Sequence, residues 1–378
     1  MPASIHVLKC NAFHRRMKQN IAAGNRGYYV PRRRAITIKD VAELAGVSQM
    51  TVSRVLNLSA SVKPDTRERV QSAVAELNYR PNPMARNLAR GQALLLGLLY
   101  HNSSSAYLSE LLVSALRTSR QLGHHLVVED MEELENGALD GETAAARLNF
   151  LSLDGLIIPP LRAEQASLVD DLVKLNTRIV ILGDMDGVPD ICRISFDDRG
   201  GARSLAKYLI DKGHRRIGFV SGPDTCPAAR ARKMGFDLAL TDHDLPLMPE
   251  LLRAGDYTLR SGVRAAEQLL DLDEPPTAIF CANDDMAAGV MAVAHRRGVK
   301  IPDQLSVTGF DDTSIAPVAF PGLTTIHQPI SLMARLAVKA LSDIEIRDDD
   351  ENVRRLSEHH IQVTKIEIVE RNTVADLT

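Results

Sequence analysis

What is scarce in this chain narrows what it can be. Four cysteines occur in 378 residues, Cys10, Cys192, Cys226 and Cys281. Their spacing suits neither a disulfide framework nor a zinc site, so they read as reduced thiols. Tryptophan is absent and aromatic residues make up 4% of the chain, so a ring-stacking site has few rings to draw on. No apolar run approaches the roughly 20 residues of a membrane span. The first thirty residues are basic and polar, where a leader peptide would need an apolar centre. A cytoplasmic protein with no membrane partner is therefore expected. Catalytic signatures are missing as well: no G-x-G-x-x-G opens a helix, and there is no P-loop, nucleophile elbow or histidine-carboxylate metal spacing. Neither an enzyme nor a cofactor nor a metal is expected.

Acid is missing where the chain begins. Residues 1–34 hold eight Lys/Arg and no Asp/Glu, with little apolar periodicity. They read as a disordered basic arm that either adds phosphate affinity or contributes little. Over residues 1–92 there are 16 basic and 5 acidic residues, a charge of +11, and the remaining 286 carry −14. A cationic head on an anionic body is the pattern of a phosphate-binding module joined to something that should not bind nucleic acid. Otherwise 45% hydrophobic and 25% charged residues are ordinary, and the length allows two or three domains.

Within the head, TIKDVAELAGVSQMTVSRVL spans residues 37–56. Thr37 with Asp40 predicts a capped helix whose apolar face is Val41, Ala42, Leu44 and Ala45. Gly46 suits a left-handed turn, and Ser48 can cap a second helix from Gln49 to about Leu56. Two short helices on a glycine turn spell a helix-turn-helix, with an αα-hairpin in an ordinary core as the alternative. In the first geometry Gln49, Met50, Ser53 and Arg54 face base edges or phosphates. A third helix is predicted from Pro64, with Val70, Val74 and Leu77 at helical spacing. Asn82 and Pro83 can start a fourth, too short to persist alone in water, so it forms only with DNA or a partner copy.

From Leu94 the texture changes. Short apolar runs at 94–99, 126–128, 156–158, 179–182, 217–220, 278–281 and 305–309 alternate with helical stretches. That alternation predicts parallel sheets covered by helices on both faces. The expected fold is a small all-α helix-turn-helix head plus an α/β core of two doubly wound parallel-sheet lobes. The terminal VERNTVADLT carries no leucine heptads, so no tetramer-forming tail is expected.

The blocks KDVAELAGVS, TVSRVLN, KPDTRERV, ELNYRPNPMARNLARG, KGHRRIGFVSGP, ARARKMGF, CANDDMAAG, VTGFDDT and LTTIHQP occur in this order. In these the chain resembles the LacI/GalR family of transcription regulators. The resemblance implies a head at 35–80, a hinge helix and linker at 81–93, and a core at 94–378 built like periplasmic sugar-binding proteins. Its N-lobe would be about 94–195 and 327–355, its C-lobe about 196–326 and 356–378. It further implies a homodimer on a palindromic operator in double-stranded DNA, with a small-molecule effector.

Residue by residue, the resemblance puts Gln49, Met50 and Arg54 on base edges, and Thr37, Thr51, Ser53 and Asn57 on phosphates or helix caps, with Ser48 beside them. Asn82, Ala85 and Leu88 fall in the hinge, Leu88 as the wedge entering the minor groove. Lys63 departs from the usual serine cap. In the core Arg232 matches the principal ligand arginine, whose fork suits vicinal hydroxyls or a carboxylate. Asn283 and Asp311 match a cleft amide and carboxylate, Tyr257 a stacking ring, and Gln328 a position at a lobe crossover. Asp184 is matched loosely. His101 and Asn102 would replace an acidic or amide group, and Pro159 replaces a polar one. Plainer readings stand beside these: Arg232 pairing with surface acids, Asp311 and Asp312 capping a turn, and His214 as structural. Leu108, Leu112, Ala115 and Leu116 serve either core or dimer interface.

The expectation is a repressor whose operator affinity is set by a sugar or sugar derivative. A nucleobase effector or a protein corepressor is the alternative, and a transport-type sugar-binding protein a further one. Unstacking at the hinge step costs a few kcal/mol, which wrapped contacts repay. Leu88→Ala should therefore lower specific operator affinity by up to a few kcal/mol and leave ligand binding intact. Gel shifts on specific and scrambled DNA check this, and unchanged specificity would remove the wedge role.

Overall fold

The computed structural model describes residues 37–56, 63–77, 93–100, 104–130, 141–159, 166–185, 191–344, 353–357 and 359–378. By its contacts the chain divides into two units, Met1–Pro83 and Met84–Thr378. The expected hinge helix lies outside the described residues, as do the basic arm and positions Asn57, Asn82, Ala85, Leu88, His101 and Asn102.

In the first unit, α1 (Ile38–Ala45) opens on the expected capping box. Thr37 N–H donates to Asp40 Oδ2 at 2.7 Å, and Asp40 N–H donates back to Thr37 Oγ1. Gly46 then takes φ +64°, a left-handed turn that a side chain would resist. Arg69, from α3 (Pro64–Glu76), donates to the carbonyls of Ala45 and Gly46 and so clamps the turn. α2 (Gln49–Leu56) starts from Ser48, whose Oγ accepts the Thr51 N–H at 3.2 Å. Lys63 makes no side-chain cap for α3. Val41, Ala42, Ala45, Val52, Val55, Val70 and Ala73 form the core. Leu44 departs from the expected apolar face and is 46% exposed. Three residues after Val41, it falls on the flank of the stripe that Val41, Ala42 and Ala45 define.

The second unit alternates strands and helices. Its strands are β1 Leu95–Tyr100, β2 His125–Asp130, β3 Gly155–Ile158, β4 Ile179–Leu182, β5 Cys192–Phe196, β6 Ile217–Ser221, β7 Leu252–Ala254, β8 Ala278–Cys281, β9 Ser306–Thr308, β10 Thr325–His327, β11 Val353–Ser357, β12 His360–Val363 and β13 Glu367–Val369. Its helices are α4 Ser105–Gln121, α5 Gly141–Phe150, α6 Ala166–Lys174, α7 Asp198–Asp211, α8 Pro227–Asp242, α9 Leu259–Leu270, α10 Asp284–Arg296, α11 Ile315–Val318 and α12 Ile330–Leu341. The first sheet runs β11-β12-β5-β4-β3-β1-β2, parallel except for the edge pair β11-β12, and the second runs β7-β6-β8-β9, all parallel. Every residue of β3, β4, β6 and β8 is buried, as strands covered on both faces must be. β10 and β13 pair antiparallel as a separate ribbon.

One lobe boundary is corrected. Residues 356–357 and 360–363, expected in the C-lobe, belong to the first sheet, where β12 runs parallel to β5 with Ile361 opposite Ile194. The chain makes this extra excursion because β12, alternating His-Ile-Gln-Val, buries only Ile361 and Val363 and so fits an outer position. The terminal residues sew onto the second lobe: Val307 N–H donates to Thr373 O, Ala375 N–H to Ser306 Oγ, and Leu377 N–H to Lys212 O. No helix among the described residues is long and apolar enough to cross a membrane.

Three rings anchor the second lobe. Phe219 of β6 stacks on Phe236 of α8 with centroids 4.7 Å apart, and Phe280 of β8 meets Phe219 edge-on at 5.2 Å. Beside them α8 presses on α7 so closely that a Cβ on Gly235 would sit 2.2 Å from Arg199 O. Backbone cannot yield there without moving a helix, so Gly235→Ala should destabilise the core by about 1–3 kcal/mol. Urea unfolding of the full chain measures it, and an unchanged midpoint would mean the helices are not held at that distance.

Candidate functional site

Two sets of residues are to be placed, one in each unit. In the first, Gln49, Met50 and Arg54 are all exposed on α2, Met50 at 65%. A methionine left that far in solvent contributes nothing to the small core behind it. Thr51 and Ser48 share a hydroxyl bond of 2.9 Å, and Thr37 is spent on the α1 cap, so these three do local capping work. Ser53 lies within α2.

In the second unit the residues gather where parallel strands end. Pro159 follows β3, Gly183 follows β4 and Phe196 ends β5, while Pro223, Tyr257, Asn283 and Asp311 come after β6, β7, β8 and β9. Open α/β sheets place ligand crevices at these carboxyl ends. Here they enclose a cavity of about 90 Å³, completed by Ser104, Tyr107, Leu108 and Leu111 from α4 and by Arg232 and Gln328. Pockets that hold small molecules span roughly 300–1,000 Å³, so the cavity in this form is small for one.

Arg232, 4% exposed, is the centre. Its Nε donates to Asp198 Oδ1 at 2.8 Å and its Nη1 to Asp311 Oδ1 at 3.1 Å and to Ala282 O. Nη2 donates to Gln328 Oε1 at 3.1 Å. The guanidinium carbon Cζ lies 3.8 Å from the centroid of Phe310 and 5.9 Å from that of Tyr257. Four of five N–H groups are thus engaged, and one Nη2 hydrogen is left for a ligand. The surface-pairing reading of Arg232 does not hold, because its carboxylate partners are themselves buried.

The electrostatics are lopsided. Burial opposes the Arg232 charge, but Asp198 and Asp311 hold its pKa above the usual arginine value. Burial pushes Asp198 up despite Arg232, and it pushes Asp311 well up, with Asp284 and Asp198 adding to the rise. One cation thus faces two carboxylates, and a third, Asp284, stands close by. The hydroxyls of Tyr107 and Tyr257 are fully enclosed and without hydrogen-bond partners, and burial raises both. Strain accumulates here too: Tyr257 and Asp311 have φ of +67° and +110°, a region side chains rarely occupy.

The other expected positions divide. Asn283 caps α10, accepting Met286 N–H at 3.0 Å and donating to Tyr257 O at 2.9 Å, so one amide hydrogen remains. Asp184 does not line the cavity; it is exposed and meets His360 Nε2 at 3.3 Å, because the chain turns outward after Gly183. Asp312 is tied to His327 and Arg371, and His214 to Thr277 at 2.9 Å, both structural arrangements. The α4 stripe splits: Leu108 and Ala115 are buried, while Leu112 and Leu116 are half-buried beside exposed Val113. Sequence reasoning missed Ser104, Tyr107, Asp198, Cys226 and Phe310. Asp198, in the pair Asp197–Asp198 at the start of α7, looks like an ordinary helix-start acid; only its distance to Arg232 sets it apart.

Comparison with known proteins completes the picture. Residues 37–82 match the description "Bacterial regulatory proteins, lacI family", and residues 206–374 match "Periplasmic binding protein-like domain". The catabolite control protein A of Priestia megaterium is 33% identical over 311 residues, covering 81% of this chain and 92% of that protein. The HTH-type transcriptional repressor PurR of Vibrio cholerae is 33% identical over 344 residues, covering 90% and 99%. Among solved structures, the lac repressor dimer bound to operator and the anti-inducer ONPF superposes with a TM-score of 0.73 at 32% identity, covering 90% of this chain and 100% of that one. The transcriptional regulator CelR-cellobiose complex gives 0.65 at 28%, covering 89% and 99%. A helix-turn-helix head and a two-lobed core with a polar cavity at its strand ends define a DNA-binding transcriptional repressor with a ligand-binding domain, not an enzyme. The chain belongs to the LacI family.

Asp284 gives the cleft a pH signature. Its carboxylate accepts from Thr313 N–H at 2.7 Å and from Thr325 Oγ1 at 2.7 Å, yet burial holds its pKa up to about 7, against an ordinary 3.8. Below the ordinary value both folded and unfolded chains carry the proton. Above it only the folded chain keeps it, so stability from this group is lost as pH rises through about 7. Asp284→Asn, which cannot titrate, should show a smaller fall in Tm between roughly pH 5 and 7 than the parent. Identical pH slopes would show that the proton is not held there.

Proposed function

We propose that this repressor grips a palindromic operator as a homodimer in the cytoplasm, and that a neutral sugar or sugar derivative in the Arg232 cavity sets its affinity for DNA. The observation that carries the effector reading is the excess of buried acceptors over cations. Asp198 and Asp311 outnumber the one guanidinium among the described residues facing the cavity. An anionic ligand would add to that excess, whereas hydroxyl groups donate to the carboxylates and accept from the spare Arg232 hydrogen and the two tyrosine hydroxyls. The solved relative bound to cellobiose supports a carbohydrate. Arg232, Tyr257, Asp311, Gln328 and the remaining hydrogen of Asn283 would hold the ligand, and Tyr107 and Asp198 join them.

For DNA, Gln49, Met50 and Arg54 would read base edges and Leu88 would wedge the central step. Dimer formation would cover the exposed apolar side chains, Val318 at 78% and Phe320 at 98%, and the outer face of α4. Ligand binding the closed cleft better than the open one would shift the N-lobes of the dimer and weaken the paired hinges. A second reading, a nucleobase effector, gains from the two rings Tyr107 and Tyr257 on one cavity, in a chain otherwise poor in aromatics.

Operator DNA selected from random sequence, in gel shifts against neutral sugars, sugar acids and nucleobases, tests this. Neutral sugars should change the shift and sugar acids should not. No response to any of them sinks the small-ligand reading. Arg232→Lys keeps the charge between its carboxylates but loses the fork, so the ligand response should weaken at least about tenfold while the operator shift persists. A normal response from that variant would remove Arg232 from the site.

A further inference from the structure

One hydrogen bond crosses the cleft at its edge. Ser104 is the N-cap of α4, in the first lobe, and its Oγ accepts the Tyr107 N–H at 3.3 Å. The same hydroxyl donates to Asp285 Oδ2 at 2.5 Å, and Asp285 stands in the first turn of α10, in the second lobe. A hydroxyl has one hydrogen to give, and here it goes to the opposite lobe while a lone pair holds the helix. A distance of 2.5 Å is that of a charge-assisted bond, stronger than a neutral one. Asp285 is only 8% exposed, so its charge is taken from water largely in exchange for this partner, and burial raises its carboxyl while the Ser104 bond opposes the rise.

We infer that Ser104 and Asp285 are a latch that draws the two lobes together across the cleft, and that Ser104 is a positioning residue for Tyr107. The consequences are geometric. When the lobes part, Asp285 keeps α10 but loses its partner, and α4 keeps a cap freed from the other lobe. Tyr107, three residues along, lines the cavity from the turn that Ser104 anchors, and its hydroxyl is enclosed without a hydrogen-bond partner. Closure is thereby conveyed to α4, whose outer face carries Leu112, Val113 and Leu116. The latch deepens the reading of the cavity as an effector site and rests on it for its purpose, but its existence can be tested without any effector.

Cys226 supplies the reporter, because it lines the cavity at 6% exposure, while Cys281 lies inside the second lobe at 0%. N-ethylmaleimide labelling of the full chain, followed by peptide mass mapping over time, measures opening at Cys226 and unfolding at Cys281. Asp285→Ala cuts the latch and leaves the α4 cap, so it should speed Cys226 labelling by about tenfold or more with Cys281 unchanged. Ser104→Ala should do the same. Asp285→Asn keeps an acceptor without the charge and should fall between parent and Asp285→Ala. Parental Cys226 rates in both alanine variants overturn the latch. So does acceleration of Cys281 in step with Cys226, which would make the pair a support of the lobe and not of the cleft. The expected labelling pattern together with no sugar response would uphold the latch and remove the effector assignment alone.

Discussion

A guanidinium shut away from water between two carboxylates constrains everything around it. Arg232 is useful only as a complete set, since removing one partner of a buried pair leaves an uncompensated charge at a cost of about 3–5 kcal/mol. Its partners come from the start of α7, the end of β8, the turn after β9 and the crossover at Gln328. Four separate stretches are thereby obliged to meet at one point. The face of Phe310 closes the remaining side, and Phe310 in turn meets Phe196 edge-on at 6.1 Å, which carries the constraint to the last strand of the first-lobe β-α series. The cavity is what is left once these obligations are met, so its chemistry and the packing of the second lobe cannot be altered independently.

The left-handed backbone at Tyr257 and Asp311 belongs to the same account. Each such residue costs on the order of 1–3 kcal/mol and survives only where its surroundings over-determine it. For Asp311 the surroundings are its N–H on Ile326 O, the Gln328 N–H on its own carbonyl, and Arg232 on its side chain. For Tyr257 they are the Asn283 amide on its carbonyl and the ring lodged against Gly222, where a Cβ would stand 2.3 Å from the phenol carbon. Strain and recognition thus share the same hydrogen bonds.

Much of this was legible in the sequence, for reasons that differ by element. The head was readable to the residue at Gln49–Leu56 because caps and a glycine turn are local chemistry. Buried parallel strands such as Ile179–Leu182 and Ala278–Cys281 announced themselves as unbroken apolar runs. β5, β11 and β12 did not, since Arg193, Arg354, Arg355 and His360 interrupt them at outer positions of the sheet, and that is how the lobe boundary at residue 356 came to be misplaced. Within the cavity, Arg232, Asn283, Asp311 and Gln328 carry their family blocks with them. Asp198 and Tyr107 could not be found that way: one looks like a helix-start acid and the other like the first residue of an amphipathic stripe. What makes them matter is a contact across 34 residues in the first case and burial without a partner in the second.

Four of the cavity's polar groups, Tyr257, Asn283, Asp311 and Gln328, sit on short turns that follow strands, while Ser104, Tyr107, Asp198 and Arg232 belong to helices or their caps. Turns at strand ends tolerate exchange of side chains far better than buried strands do. Exchange at the turn after β7, which gives Arg232 no hydrogen bond, can therefore retune the cavity without touching that set of partners, whereas exchange at Asp311 after β9 cannot. Chemical vocabulary and packing meet in one side chain, Arg232, whose partners are cavity wall and lobe core at once.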